Sequence, residues 1–221
     1  MRYCGINEKI QFTAQKTRNR QKRIHHSRRT QKILQQTKPN LRNNHKTPSL
    51  PRSPIRVFKG IFYIKTPEET KFHTQKYNHL ELTAKGLELK GVKNWYFGLH
   101  TALKLNNLTH EYFTIDNVIN DKLLRSNPIK IAGYKYKFTK LAPKLLDFGI
   151  IKNNNYQYSD PEKTILDFIY TWRYNGVPKE RIVMDISDWA KNISKEKIKR
   201  YTVNYPKTVQ EIVDMMLVSS G

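Results

Sequence analysis

The chain has 221 residues, 38% of them hydrophobic and 11% aromatic, enough for one fair-sized domain or two small ones with a buried core. A net charge of +23 and an isoelectric point near 10.0 favour a polyanionic partner, most simply nucleic acid, although abundant Lys, Asn, Ile and Tyr also mark AT-rich coding. The single cysteine, Cys4, excludes an internal disulfide and a cysteine-based zinc site. No apolar run approaches the ~18–20 residues of a membrane span, and the basic N-terminus lacks the apolar stretch of a secretory signal, so the expected setting is cytoplasmic, without a membrane.

The first 55 residues are a different polymer from the rest. Residues 1–60 hold 16 lysines and arginines against one acid, Glu8, a net +15; the remainder holds 25 against 17, a net +8. Between Ile10 and Leu50 the apolar residues are Phe12, Ala14, Ile24, Ile33, Leu34 and Leu41, too few to offset the entropy of ordering the backbone. Residues 1–55 therefore read as a basic, disordered arm, in which Arg18, Arg20, Lys22, Arg23, Arg28 and Arg29 are candidate phosphate contacts. Aromatics are absent between Phe12 and Phe58, which argues against base stacking by the arm.

Residues 56–70 read as a wing-like hairpin and linker. Arg56 to Lys65 is β-branched and aromatic around Lys59-Gly60, as expected of two short strands joined by a turn, with Arg56 and Lys59 as basic candidates for backbone phosphate. Thr66 to Thr70 is expected to turn the chain. Residues 71–221 form the expected body. Lys76 to Lys90 carries helical apolar spacing and stops at Gly91; Trp95 opens a short strand followed by a helix to Asn106-Asn107. Tyr112 to Ile115 and Val118-Ile119 read as a strand and its continuation. Ile129 to Thr139 alternates Tyr134, Tyr136 and Phe138 with Lys135 and Lys137, as one half-buried strand would. Leu145 to Ile151 reads as a further strand, with a turn at Asn153 to Asn155.

Tyr158 to Trp172 carries the strongest helix signals. Ser159 to Glu162 matches a capping box, Pro161 suits the first turn, and Asp160 and Glu162 complement the helix dipole. Ile165, Leu166, Phe168, Ile169 and Trp172 make a broad apolar face, with Lys163, Thr164, Asp167 and Thr171 opposite. The C-terminal third reads as helical, ending in an apolar helix over 208–218. The expected fold class is α+β: a partial winged-helix hairpin, a mixed α/β body and a helical C-terminal part.

Catalytic signatures are missing: no phosphate-binding glycine loop, no HExxH, no GxSxG and no calcium loop, and the histidines are scattered singly. No catalytic residue, metal ligand or cofactor is expected, and the chain does not read as an enzyme.

Two motifs carry a resemblance. Trp95-Tyr-Phe-Gly-Leu-His-Thr-Ala-Leu103 has an aromatic-Gly-x-x-(Thr/Ser)-Ala-Leu pattern, and Asp160-Pro-Glu-Lys-Thr-Ile-Leu-Asp167 follows it after a set of strands. Their order and spacing resemble the AbiEi family, antitoxins of a type IV toxin–antitoxin and abortive-infection system, over about residues 56–217. The resemblance implies an N-terminal winged helix-turn-helix that binds operator DNA and a C-terminal domain that opposes a nucleotidyltransferase-like toxin, without requiring a stable complex. It marks Gly98, Ala102, Leu103, Pro161, Glu162, Lys163, Leu166 and Asp167 as motif positions, read as structural. Upstream of the wing the family carries periodic helices ending in a recognition helix, a pattern that residues 1–55 lack: the arm replaces the reader, the domain is degenerate, or a start-site or frame error displaced it. The expected function is an antitoxin-like, DNA-binding transcriptional regulator; the alternative is a non-catalytic basic DNA- or RNA-binding accessory protein with no toxin partner.

Overall fold

A computed structural model of the chain describes residues 12–14, 54–191 and 193–219. Within the N-terminal arm read as disordered, Phe12–Ala14 and Ile55 instead lie in strands, because they pair with or continue into neighbouring strands; the rest of the arm up to residue 53, with the candidates Arg18, Arg20, Lys22, Arg23, Arg28 and Arg29, lies outside the described residues. The fold is α+β, with mixed sheets and a helical C-terminal part, and it divides into two compact units: Met1–Ile55 with Lys59–Lys76, and Arg56–Phe58 with Tyr77–Gly221.

In the first unit β1 (Phe12–Ala14) pairs antiparallel with β3 (Ile61–Tyr63), Thr13 opposite Phe62. The expected strand–turn–strand is present along the chain: β2 (Ile55–Phe58), most of it in the second unit, is followed by Lys59 and Gly60, whose φ of 79° suits glycine, and then by β3. Thr66 to Thr70, expected as a turn, instead opens a helix, α1 (Pro67–Lys71). Thr66 Oγ1 accepts from Glu69 N–H at 3.1 Å and the Glu69 carboxylate accepts from Thr66 N–H at 2.7 Å, a full capping box. The same carboxylate accepts from Tyr63 Oη–H and, at 2.6 Å, from Lys76 N–H. Burial pushes the Glu69 carboxyl up, but these donors outweigh it and hold it below its ordinary range.

The second unit is built on a six-stranded sheet in the order β6-β7-β5-β4-β9-β8. Its strands are β4 (Trp95–Phe97), β5 (Ile115–Asn120), β6 (Ile129–Ile131), β7 (Tyr134–Lys140), β8 (Ile150–Lys152) and β9 (Gln157–Ser159). The central β5 is antiparallel to β4 and parallel to β7, and β4 is parallel to β9. Residues 129–139 are thus a hairpin rather than one strand: Ala132 and Gly133, both at positive φ (49° and 92°), supply the left-handed pair that closes a two-residue turn. Leu145 to Ile151 yields only β8, because Pro143–Leu145 coils into a 3₁₀ turn and Gly149 (φ 65°) redirects the chain.

Period-two alternation assigns the sheet's two faces. Tyr136 and Phe138 face α2 (His79–Leu89) and Phe58: the Tyr136 hydroxyl donates to His79 O at 3.0 Å, and Phe58 meets Phe138 edge-on at 6.1 Å. Tyr96 and Ile119, opposite each other in register, face α3 (Leu99–Leu105) and α4 (Pro161–Tyr174) in a core with Leu103, Leu141, Leu146 and Phe168. Behind α4 stand α5 (Lys179–Ile186), α6 (Lys195–Thr202) and α7 (Lys207–Ser219), joined through Ile165, Ile169, Ile182, Ile198, Ile212 and Val213. No helix among the described residues is long and apolar enough to cross a membrane.

Alanine normally improves a helix interior by about 0.5–1 kcal/mol over glycine. At Gly86 in α2 an added Cβ would sit 2.6 Å from Val57 Cγ1 and 2.7 Å from Phe58 Cδ2, both buried side chains. Gly86→Ala is therefore expected to destabilise by about 1–3 kcal/mol in urea unfolding, the overpacking cost reversing the propensity gain.

Candidate nucleic-acid interface

The two motifs meet at α4. Asp160, not Ser159, is the helix N-cap: its Oδ1 accepts from Lys163 N–H at 2.8 Å, while Ser159 ends β9 and its hydroxyl pairs with Thr164 Oγ1 at 2.7 Å. The cap therefore sits one residue later than expected, and Glu162 is free for another task. Its Oε1 accepts from Ser194 N–H at 2.9 Å and its Oε2 lies 2.9 Å from Lys197 Nζ, which also reaches Asp160 at 3.0 Å. Pro161 takes the first helical position, where a missing N–H costs nothing.

Lys163 and Asp167, read on the face opposite the apolar one, are fully buried, as are Thr164 and Leu166. The ammonium donates to Tyr96 Oη at 2.9 Å, to Tyr205 Oη at 2.7 Å and to Asp167 Oδ1. Tyr96 Oη–H in turn donates to Asp167 Oδ2 at 2.7 Å, and Tyr205 Oη–H to Asp167 Oδ1 at 2.8 Å. All three ammonium hydrogens and both carboxylate oxygens are used, the condition for burying an ion pair without orphaned groups. Burial lowers the Lys163 pKa, against the Asp167 charge, and lifts both phenols well above their ordinary values. The cluster is sealed, with the Phe148 ring 5.1 Å from the ammonium, and presents nothing to a substrate. Lys163 and Asp167 thus tie β4, α4 and the approach to α7 together through a buried polar cluster.

The first motif supplies the other half. Ala102 and Leu103 are buried in α3, and a Cβ on Gly98 would collide with Ile119 Cδ1 and stand 3.2 Å from the Tyr96 ring. Gly98 is in extended backbone; closeness, not conformation, demands glycine there. Leu99 follows at φ 50°, a left-handed conformation costly for a bulky side chain.

The exposed cations lie elsewhere. Lys135 and Lys137 stand two apart on β7, facing away from buried Tyr136 and Phe138, and Lys130 on β6 is the register partner of Lys135. Directly opposed like charges disfavour a sheet by about 0.2–1 kcal/mol. Arg125 N–H donates to Phe138 O at 3.3 Å and Ala132 N–H to Arg56 O at 3.2 Å, which brings both arginines' backbones to this edge. Among the described residues, no carboxylate lies within ion-pair distance of Arg56, Arg125, Lys130, Lys135 or Lys137. Of the sequence candidates here, Arg56 adjoins the cationic edge, and Lys59 is exposed at the β2–β3 turn. Sequence reasoning does not single out Lys130, Lys135, Lys137 and Arg125; the Tyr-Lys alternation holds the signal for two of them, whereas the Lys130–Lys135 apposition needs the hairpin. Among the described residues no group of three or more His, Cys, Asp or Glu side chains is placed to hold a metal ion.

No family model matches this chain, and no curated protein is significantly similar to it. Among solved structures, the crystal structure of the RV2827C protein from Mycobacterium tuberculosis is similar, with a TM-score of 0.49 and 12% identity over 76% of this chain. This chain spans 61% of that protein's length.

Removing one partner of a buried pair strands the other charge at a cost of about 3–5 kcal/mol. Lys163→Met and Asp167→Leu are each expected to destabilise by that much in urea unfolding, and the double variant by clearly less than their sum; additivity would mean the pair is not coupled. The Glu162 carboxyl is pushed up by burial but held, on balance, below its ordinary 4.5 by Ser194 N–H and Lys197. Its contribution is present above about pH 4.5 and lost as pH falls through the lower folded value, so Glu162→Gln should flatten the fall of the melting temperature between pH 5 and pH 3.

Proposed function

We propose that this chain is a non-catalytic, nucleic-acid-binding regulator of the AbiEi antitoxin type, acting in the cytoplasm and counteracting a nucleotidyltransferase-like toxin. The observation that carries the nucleic-acid half is the cationic edge formed by Lys130, Lys135 and Lys137, where like charges face each other across a hairpin and no carboxylate among the described residues pairs with them. A phosphate backbone supplies the missing anions, and releasing its counterions provides the driving force. Net charge of +23 and the basic arm favour the same partner. The antitoxin half is supported by the two motifs, whose residues Gly98, Leu103, Lys163 and Asp167 pack into one region around Tyr96. The sealed Lys163 network gives no reason to assign a reaction.

Two measurements separate the halves. Binding of the full chain to duplex DNA, followed by fluorescence anisotropy across a salt series, should weaken steeply with salt. Lys130→Gln/Lys135→Gln should flatten the log K against log salt slope by about 2, near 0.9 for each phosphate no longer neutralised. An unchanged slope would remove this edge from the interface. For the antitoxin half, cells expressing the nucleotidyltransferase-like protein encoded beside this chain should regain growth when the chain is co-expressed. Toxicity without rescue would leave the accessory nucleic-acid-binding reading.

A further inference from the structure

On the α3/α4 side of the sheet, two cavities adjoin, of about 430 and 550 Å³. They share Lys137, Thr139, Thr171 and Asn175, so these residues form the sill between them. Each is within the size range of small-ligand sites.

The smaller cavity is walled by aromatic rings. His100 lies 4.4 Å from Phe113 and 5.0 Å from Phe168, and Phe168 lies 5.1 Å from Trp172, so the half-buried rings of His100, Phe113 and Trp172 line the cavity with buried Phe168 behind them. Tyr112, 81% exposed, stands at the mouth with Lys104 Nζ 5.9 Å from its ring centre. Burial lowers the His100 pKa, so the imidazole in this wall is neutral near pH 7, and a neutral ring stacks without carrying a charge into the aromatic chamber. The larger cavity has apolar walls, Leu124, Leu141 and Pro143, but Arg125, Lys137 and Lys140 line it as well, and among the described residues none of the three cations has an ion-pair partner.

Two further observations single out the sill. Thr171 Oγ1 is buried and has no hydrogen-bond partner among the described residues, although a helical threonine ordinarily bonds back to the preceding turn. A buried orphan hydroxyl costs about 1–3 kcal/mol unless something reaches it. Leu99, whose left-handed backbone is strained, lines the aromatic chamber. An orphaned hydroxyl, a row of rings and three unpaired cations converge on one cleft.

We propose that this cleft binds a nucleoside phosphate, the base stacking on the rings of His100, Phe113 and Trp172, the Thr171 hydroxyl bonding the ligand at the sill, and the phosphate held by Lys137 with Arg125 and Lys140. The same chemistry is met by a free nucleotide and by one unstacked nucleotide of a single strand. The site shares Lys137 and Arg125 with the cationic edge, so Thr171, which carries no charge, is the residue that tells it from the duplex contact at Lys130 and Lys135, and it does not depend on the toxin–antitoxin reading.

The test uses the full chain and tryptophan fluorescence, since Trp172 lines the cleft. AMP, GMP, CMP and UMP are titrated one at a time, with the corresponding nucleosides and a six-nucleotide single strand as further arms. Saturable quenching by at least one monophosphate is expected, with the nucleoside weaker by about tenfold or more for want of the charge-assisted contact. Lys137→Gln should abolish the difference between nucleotide and nucleoside; Thr171→Val, nearly isosteric, should weaken both by about three- to tenfold while leaving the salt slope on duplex DNA unchanged. Tighter binding of the strand than of any monophosphate would assign the site to single-stranded nucleic acid, and the reverse to a free effector; both uphold the proposal. Absence of saturation by all four monophosphates and by the strand up to millimolar concentration overturns it, as does binding that neither variant changes. Lys137 is exposed and Thr171→Val preserves shape, and an unchanged melting temperature shows that each variant is folded.

Discussion

The buried contact between Lys163 and Asp167 is the constraint around which the second unit is arranged. An ion pair removed from water is tolerated only where every donor and acceptor finds a partner. Here the partners come from three places far apart in sequence: Tyr96 on β4, Lys163 and Asp167 on α4, and Tyr205 just before α7. Sheet, central helix and C-terminal helices are therefore held to one relative arrangement, since displacing any of them breaks hydrogen bonds to a buried charge. The apolar contacts of Leu103, Ile119 and Phe168, and of Ile165, Ile182 and Ile212, supply the bulk of the burial, but they are non-directional. The polar cluster supplies direction.

The same cluster explains why the motif residues occur as they do. Gly98 lets β4 lie close to Ile119 so that Tyr96 reaches α4, and Gly149, whose Cβ would sit 2.7 Å from Lys163 Cβ, lets the chain entering β8 pass over the pair. Asp160 both caps α4 and receives Tyr201 and Lys197, so the helix start is tied to α6. Tyr96, Gly98 and Gly149 thus trace back to packing around one buried cation. The surface at β6 and β7 is organised by the opposite rule, with cations placed where no carboxylate among the described residues meets them.

Much of the architecture is legible in the residues. Caps, glycine stops and apolar periodicity locate α2, α3, α4 and the C-terminal helices, and the Lys59-Gly60 turn between two strands, because these signals are local. Where the reading fails, the cause is distance. Ser159 looks like the cap because its spacing to Glu162 is right, yet β9 pairing takes Ser159 and leaves the cap to Asp160. Thr66-Pro-Glu-Glu looks like a turn because its helix is a single capped turn whose Glu69 is anchored by Tyr63 and Lys76. Ile129 to Thr139 looks like one strand because Ala132 at positive φ has no residue-type signature.

The sequence by itself determined the α+β class, the positions of most helices and the strong basic excess, each of which follows from neighbouring residues or from composition. Only the tertiary structure decided that Lys163 and Asp167 face inward, that Lys130 opposes Lys135, and that Thr171 borders a cleft between aromatic rings and cations. The physical reason is that burial and apposition are properties of pairs brought together across dozens of residues. Helical periodicity places a lysine on a face; only the partners that fold against that face decide whether it meets water, a carboxylate or a phosphate.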